Sequence, residues 1–108
     1  MSAGVQQALV ETFDVPKDDL FQVITEHGPG TEIVHASRYL GIAYSDDLTL
    51  IQLTVSASRG VTQKKALFAK IAENLRRDPG LKPDDIFINL VETTRENWSF
   101  GAGLAQYA

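Results

Sequence analysis

Apolar residues recur at helical intervals in two stretches of the chain. The first stretch is short, and its pattern stops after Asp14 because Pro16 lacks a backbone donor and cannot continue a helix. Its predicted buried face consists of Val5, Ala8, Leu9, Thr12 and Phe13. We therefore predict an amphipathic helix of about three turns at the start of the chain.

The second helical stretch is longer and has stronger end signals. Thr62 is predicted to cap its start, and Arg76 and Arg77 lie near its end, where positive charge favours the helix dipole. The turn residues Asp78-Pro79-Gly80 follow directly. Its predicted buried face consists of Leu67, Phe68, Ile71, Ala72 and Leu75.

Three stretches have the composition of β-strands. Residues 20–26 are rich in β-formers and end at the turn His27-Gly28-Pro29-Gly30. Residues 48–55 are almost continuously apolar or β-branched, which is typical of a central strand covered on both faces. Residues 86–92 form the last predicted major strand.

The remaining segments show weaker patterns. Residues 31–47 are predicted to be irregular, apart from a short strand at Ile33-Val34. The tail from Trp98 to Ala108 is aromatic and contains glycine, and we predict that it adds a short hairpin.

One motif occurs twice and indicates an internal duplication. Val15-Pro16-Lys17-Asp18-Asp19-Leu20-Phe21 follows the first helix, and Lys82-Pro83-Asp84-Asp85-Ile86-Phe87 follows the second. The second copy has an apolar strand, residues 48–55, ahead of its helix, whereas the first copy begins at its helix. We therefore expect a further strand, with whatever chemistry it carries, to belong ahead of the first helix.

These elements predict an α+β fold in a single domain, residues 1–108. Residues 1–47 would form a first, incomplete β-α-β unit, and residues 48–108 a second unit with a carboxy-terminal tail. A helix of this length between two strands makes a parallel crossover, so two units give a four-stranded mixed sheet with both helices on one face. The first strand of that sheet is expected to be absent here.

The other face of this sheet would be bare. Two short helices cannot cover all the apolar strand residues, so we expect the open face to pack against copies of the same chain. Boundaries between subunits are natural sites for ligands. The strand residues concerned are Leu50, Ile51, Leu53, Ile88 and Leu90.

Composition narrows the classes of partner. The formal net charge of −4 argues against nucleic-acid binding, which needs clustered cations. The absence of cysteine excludes disulfides and thiolate metal sites, and His27 and His35 have no partner at ligand spacing, so no metal site is expected. No apolar run reaches membrane-spanning or signal-peptide length, so we expect a cytoplasmic protein without a membrane partner.

Several motifs together resemble the tautomerase superfamily, in particular the branch that contains malonate semialdehyde decarboxylase. They are the Phe-Asp-Val-Pro-Lys-Asp-Asp turn at residues 13–19, the segment from Phe21-Gln22-Val23 to Glu26-His27-Gly-Pro-Gly, Gln63-Lys64 at the second helix start, and Asn97-Trp98-Ser99-Phe100-Gly101. The resemblance extends over essentially the whole chain.

The resemblance implies a homotrimer, or a dimer of trimers, with active sites between subunits and no cofactor. It implies a base or acid at an amino-terminal proline, arginines that hold a substrate carboxylate, and a carboxylate that positions water or substrate. By position, Asp19 and Arg59 correspond to catalytic residues. Arg59 would also bind substrate, together with the aromatic residues Trp98 and Phe100.

Two departures from the family pattern concern the chemistry itself. The chain starts Met1-Ser2 rather than with proline, and the second arginine expected shortly before Arg59 is replaced within Ser56-Ala57-Ser58. Either the natural protein begins further upstream with a strand that bears proline, or the chain is a relative without proline.

Each candidate residue also has a structural interpretation. Asp19 could shape its turn, as aspartates often do, and Arg59 could be a solvated cation. Trp98 and Phe100 could be packing or interface aromatics that line the site incidentally. A carboxylate bound at Arg59 would gain from both the guanidinium and the amides of the following helix.

The sequence therefore predicts a tautomerase-like enzyme that acts on a small carboxylated 2-oxo or enol substrate. Its reaction would be proton transfer, or a related decarboxylation or hydration. The alternative is a non-catalytic oligomeric module, binding a small ligand or serving a structural role, that has lost the proline chemistry.

Overall fold

Two helices and two pairs of strands make up the fold of the computed structural model, which describes residues 1–108. Short 3-10 turns at Pro83–Asp85 and Arg95–Asn97 flank the last strand. Neither helix combines the length and hydropathy needed to cross a membrane. The elements are α1 (Ser2–Phe13), β1 (Arg38–Tyr39), β2 (Ile42–Ala43), β3 (Thr49–Ser56), α2 (Val61–Arg77) and β4 (Ile86–Thr93).

Both predicted helices are confirmed. α1 ends at Phe13, and its C-cap Asp14 adopts a left-handed conformation and donates its N–H to the carbonyl of Leu9. α2 begins two residues earlier than predicted, with the extended Gly60 at its N-cap and no side-chain cap. Thr62 lies inside the helix, so its prediction as the cap was wrong.

The hydrophobic core lies between the two helices and one face of the β3–β4 pair. The side chains of α1 and α2 predicted to face inward supply its centre, and the inward residues of both strands pack against it. The helices approach closely at Gly4, where an added Cβ would lie 3.1 Å from Leu75 Cδ2. The buried cluster consists of Val5, Ala8, Phe13, Leu67, Ile71 and Leu75.

The second β-α-β unit is present as predicted. β3 and β4 are parallel, with Thr49 opposite Ile86 and Ser56 opposite Thr93, and α2 connects them. Side chains in both strands alternate between half-buried and exposed positions over most of their length. One face of this pair therefore contacts the helices while the other is open.

The α+β class is confirmed, but the arrangement of strands differs from the predicted four-stranded sheet. The chain forms two separate two-stranded sheets, an antiparallel β1–β2 hairpin and the parallel β3–β4 pair. Residues 20–26 were predicted as a strand, and they belong to neither sheet. Strand structure requires a backbone partner, and residues 20–27 make no backbone-to-backbone hydrogen bond.

Two smaller predictions were also wrong. Ile33 makes only an isolated bridge with Pro29, and the local hairpin forms later, at β1 and β2. The tail contains no hairpin, because its backbone bonds only close local turns, from the Leu104 N–H to the Gly101 carbonyl and from the Ala108 N–H to the Ala105 carbonyl, and no strands pair there.

The two copies of the duplicated motif form equivalent turns. The Asp19 N–H donates to the Pro16 carbonyl at 3.0 Å, and the Asp85 N–H donates to the Lys82 carbonyl at 2.9 Å. These donors and acceptors occupy matching positions in the repeat. The duplication seen in the sequence therefore extends to this backbone hydrogen bond, although only the second copy forms a 3-10 turn.

Candidate active site

One large cavity, of about 1620 Å³, has residues 21–27 and β3 in its wall. Val5 and Leu9 of α1 contribute apolar surface to it. Small-molecule sites usually occupy about 300–1,000 Å³, so this cavity is larger than a small carboxylate requires.

All four residues predicted to act in catalysis or binding line this cavity. Asp19 follows α1, Arg59 lies between β3 and α2, and Trp98 and Phe100 follow β4. Their positions in the sequence are far apart, so the fold brings them together. Their roles in substrate binding remain predictions.

Arg59 is half-buried and is anchored to the end of α1. Its Nη2 donates to the carbonyl of Phe13 at 2.8 Å and its Nη1 to that of Ser56 at 3.3 Å. The guanidinium carbon also lies 4.9 Å from the centre of the Phe13 ring. A guanidinium has five N–H donors, and no carboxylate pairs with Arg59, so its charge stays available to an anion.

The start of α2 adds further donors beside Arg59. Gly60 has no side chain to cap the first turn, and the first backbone bond of the helix runs from the Lys64 N–H to the Gly60 carbonyl. The amides of residues 61–63 are therefore left for an external acceptor. We call Arg59, which lines the cavity, and these three amides, which follow it along the chain, the anion subsite.

The equivalent aspartates of the two copies have different environments. Asp85 is buried and accepts hydrogen bonds from the Ser45 N–H at 2.8 Å and the Ser45 hydroxyl at 2.6 Å. Asp19 is half-buried in the cavity wall, and its carboxylate makes no hydrogen bond or ion pair. The carboxylate of Asp85 therefore has a structural role, as the sequence analysis considered for aspartates of this motif. The carboxylate of Asp19 is free to bind a ligand.

Hydrogen bonding explains the acidity of Asp85. The Ser45 hydroxyl is the main cause that lowers its pKa, assisted by the Ser45 amide and by the positive charges of Lys82 and His35, while burial opposes them. Asp85 therefore stays ionised and ties the segment before β3 to the start of β4.

Aromatic rings form one wall of the cavity. Trp98 stacks on Phe100 with 5.4 Å between ring centres and an angle of 3°. Phe100 also contacts Phe21, at 6.4 Å, and the edge of Tyr107, at 4.8 Å. The Trp98 Nε1 donor is buried and has no hydrogen-bond partner. This wall joins the segment after α1 to the carboxy-terminal tail.

Two further cavity residues, Arg95 and Tyr107, were not predicted from the sequence. The Arg95 guanidinium carbon lies 5.7 Å from the centre of the Tyr107 ring, and both side chains line the cavity. Gln106 orders this tail by accepting from the Phe100 N–H and donating to the Gly101 carbonyl. The only indication of their role in the sequence was that Arg95 lies close to Trp98 along the chain.

The cavity contains histidine but no arrangement suited to a metal ion. His27 lies 3.4 Å from Glu32 and 2.9 Å from the Thr25 hydroxyl. No group of three or more potential ligand residues comes together in the chain.

Comparison with known proteins gives consistent results. The family model described as tautomerase enzyme matches residues 18–101. The probable tautomerase YusQ of Bacillus subtilis (strain 168) is 38% identical over 106 residues, which is 98% of this chain and 83% of that protein.

Solved structures share the fold. A malonate semialdehyde decarboxylase, described with decarboxylase and hydratase activities, matches with a TM-score of 0.87 and 31% identity over 98% of this chain and 81% of its own. FG41 malonate semialdehyde decarboxylase inhibited by 3-bromopropiolate matches at 0.86 with 35% identity, over 98% of this chain and 79% of its own. A fused 4-OT protein solved as an asymmetric trimer matches at 0.72 with 16% identity, covering 96% and 80%, which supports the fold alone.

Proposed function

We propose that this chain, which belongs to the tautomerase family, acts on a small carboxylated 2-oxo or enol substrate. The reaction class is proton transfer next to a carbonyl, or a related decarboxylation or hydration. The observation that carries this proposal is the meeting of Asp19, Arg59, Trp98 and Phe100 along one cavity. The matched malonate semialdehyde decarboxylases, whose named substrate is a small 3-oxo acid, support a substrate that carries both a carboxylate and a carbonyl group.

In this proposal the anion subsite holds the substrate carboxylate. Arg59 supplies a cation without a carboxylate partner, and the first amides of α2 supply donors at the positive end of the helix dipole. These groups are fixed before substrate arrives, because Arg59 is bonded to the Phe13 carbonyl. Preorganised donors of this kind also stabilise negative charge that develops during enolate formation.

We propose that the carboxylate of Asp19 positions either water or the carbonyl end of the substrate. Its turn is already closed by a backbone bond to the Pro16 carbonyl, so its carboxylate is not needed for local structure. Pro16 and Pro29 line the cavity, but their nitrogens are amides and cannot accept a proton. We therefore assign the base, as the resemblance implies, to the amine of a proline at the start of a strand beside β3.

The alternative function, a non-catalytic binding or structural module, also has an observation in its favour. Two N–H donors of Arg59 already bond to backbone carbonyls of the chain. The positions shortly before it are occupied by Ala57 and Ser58 rather than by a second arginine. An anion subsite with one arginine and fewer free donors could bind a small acid without converting it to a product.

We further propose that the active assembly is a homotrimer. The outer face of the β3–β4 pair exposes apolar side chains, including Leu50, Phe87 and Val91. Burying such a face between subunits gains roughly 25 cal/mol per Å² of apolar surface. The cavity would then be completed at a subunit boundary.

The test compares acid and ester substrates on the chain extended by a strand that begins with proline. Phenylenolpyruvate and 2-hydroxydienoates should be turned over, whereas the matching methyl esters should be poor substrates. Arg59→Ala should lower kcat/KM for the acids by about 30- to 1000-fold and leave the esters nearly unaffected, because only the acids carry the bound charge. An equal loss on both would assign Arg59 a purely structural role.

Asp19→Asn should lower kcat for the acids while leaving stability unchanged. Asp18→Asn is the matched control, because Asp18 is the exposed neighbour in the same turn and loses the same charge. Binding of the acids without turnover by the extended chain would favour the non-catalytic alternative.

A further inference from the structure

The two strands of the parallel pair end at the same edge of the sheet, and an arginine follows each of them. Ser56, the last residue of β3, lies opposite Thr93, the last residue of β4, and the Ala57 N–H still bonds to the Thr93 carbonyl at 2.7 Å. Arg59 is the third residue after β3, and Arg95 is the second residue after β4. Neighbouring strands lie about 4.8 Å apart, so the two segments leave the sheet side by side. We call this end of the β3–β4 pair the carboxyl edge.

Arg95 is a cation without a partner inside the chain. No ion pair includes it, and the guanidinium hydrogen bonds of the chain belong to Arg59 and Arg77. Its guanidinium carbon lies 5.7 Å from the centre of the Tyr107 ring, a contact that holds the side chain without occupying its N–H donors. All five donors of Arg95 are therefore available to a ligand in the cavity that it lines.

Arg59 has a different anchor. Its guanidinium carbon lies 4.9 Å from the centre of the Phe13 ring, and its Nη2 bonds to the Phe13 carbonyl. Phe13 is 1% exposed and belongs to the core, whereas Tyr107 is 41% exposed and belongs to the carboxy-terminal tail. The two guanidinium groups are thus held on different parts of the fold, although both line one cavity. Like charges repel, and a ligand with two negative groups offsets both of them.

No acidic residue of the cavity neutralises these arginines. Asp46 and Asp47 precede β3, so the length of that strand, about 26 Å, separates them from the carboxyl edge. The other acids that line the cavity form no ion pair with either arginine, and they are Asp19, Glu26 and Glu32. Both cations therefore remain available to an external acid.

The indole of Trp98 adds an unpaired donor to the same segment. Trp98 is the third residue after Arg95, and it also lines the cavity. Its Nε1 is buried and has no hydrogen-bond partner, whereas nearly all buried donors in folded proteins have one. An acceptor oxygen of a bound ligand would satisfy this donor.

We propose that Arg95 binds a second carboxylate of the substrate, so that the site takes dicarboxylic 2-oxo or enol acids. This inference rests on the proposed function, in which the anion subsite holds the first carboxylate. A guanidinium matches a carboxylate with two parallel hydrogen bonds, which a carbonyl or hydroxyl group cannot provide. Arg95 therefore determines specificity for the diacid, and the indole N–H of Trp98 is a further donor to the same group.

Two pairs of stable acids test this specificity by their binding to the unmodified chain. Fumarate and glutaconate carry two carboxylates, and crotonate and 2-pentenoate are their partners, in which a methyl group replaces one carboxylate. Calorimetry and the fluorescence of Trp98, the sole tryptophan, measure each Kd at equal ionic strength, because salt screens charges. At least one diacid should bind about tenfold or more tightly than its monoacid partner.

Replacement of Arg95 should remove this preference. Arg95→Met keeps an unbranched stem and loses the charge, so the Kd of the diacid should rise to that of its partner. The affinity for the monoacids should change by less than about twofold. Arg76→Met is the matched control, because it removes the same charge from an exposed position outside the cavity, and it should keep the preference.

Equal affinities within both pairs would overturn the proposal. A preference that survives Arg95→Met, or that Arg76→Met removes equally, would also overturn it. Arg59→Ala tests the proposed function separately, because it should weaken both members of each pair, which share the first carboxylate. If Arg59→Ala leaves the monoacids unaffected while Arg95→Met still removes the preference, the proposed anion subsite is wrong and the assignment of Arg95 holds. Binding of none of the four acids would overturn both.

Discussion

Replacement of Asp85 by alanine should destabilise the protein strongly, although the residue lies outside the cavity. The side chain is 1% exposed and accepts two hydrogen bonds from Ser45, at 2.8 and 2.6 Å. Hydrogen bonds to charged groups contribute about 1.5–3 kcal/mol each, and the desolvation of the carboxylate offsets part of the sum. We expect the free energy of unfolding to fall by about 2–4 kcal/mol, a large share of a typical 5–15.

The stabilisation by Asp85 should depend on pH. Because its folded pKa is lowered below the unfolded value, its contribution is fully present above the unfolded pKa. It is lost as the pH falls through the lower, folded pKa. The difference in stability between the natural chain and Asp85→Asn should therefore be constant near pH 6 and shrink below about pH 4.

Urea unfolding, followed by Trp98 fluorescence and by circular dichroism, measures both effects. A double-mutant cycle of Asp85→Ala with Ser45→Ala isolates the interaction between the two side chains. Asp84→Ala is the control, because Asp84 is the exposed neighbour and should change stability by less than about 0.5 kcal/mol. If Asp85→Ala matched this control, or its effect were the same at pH 3 and pH 6, the proposed role of the carboxylate would be wrong.

Three further predictions concern packing, anchoring and assembly. Gly4→Val should lower stability by about 1–3 kcal/mol in urea unfolding, because its Cβ would lie 3.1 Å from Leu75 Cδ2 and its two methyl groups would crowd the same contact further; Gly4→Ala, which adds the Cβ alone, should cost less. Arg59→Ala should lower stability by about 1–3 kcal/mol in the same assay, since its bond to the Phe13 carbonyl is lost. An unchanged free energy of unfolding would mean that this contact does not contribute to stability. Sedimentation should give a trimer at low micromolar concentration, and a well-behaved monomer there would remove the basis for a site between subunits.

Local sequence was sufficient for the helices and for the β3–β4 unit. Helical spacing of apolar residues reports burial directly, since only one face of α1 or α2 can reach the core. The family could also be recognised, because the turn after α1 and the segment around Trp98 combine several motifs. Residues 20–26 were different: their composition favours a strand, but a strand forms only where backbone partners are placed beside it.

The environments of the site residues depend on tertiary structure, so no sequence pattern could predict them. Asp19 and Asp85 occupy the same position of one repeated motif, and both turns have the same backbone bond. The sequence by itself determined those turns and the family to which they belong. Only the tertiary structure placed Ser45 against one carboxylate and the cavity beside the other, because contacts between distant segments decide which charged group is satisfied within the protein and which is left for a ligand.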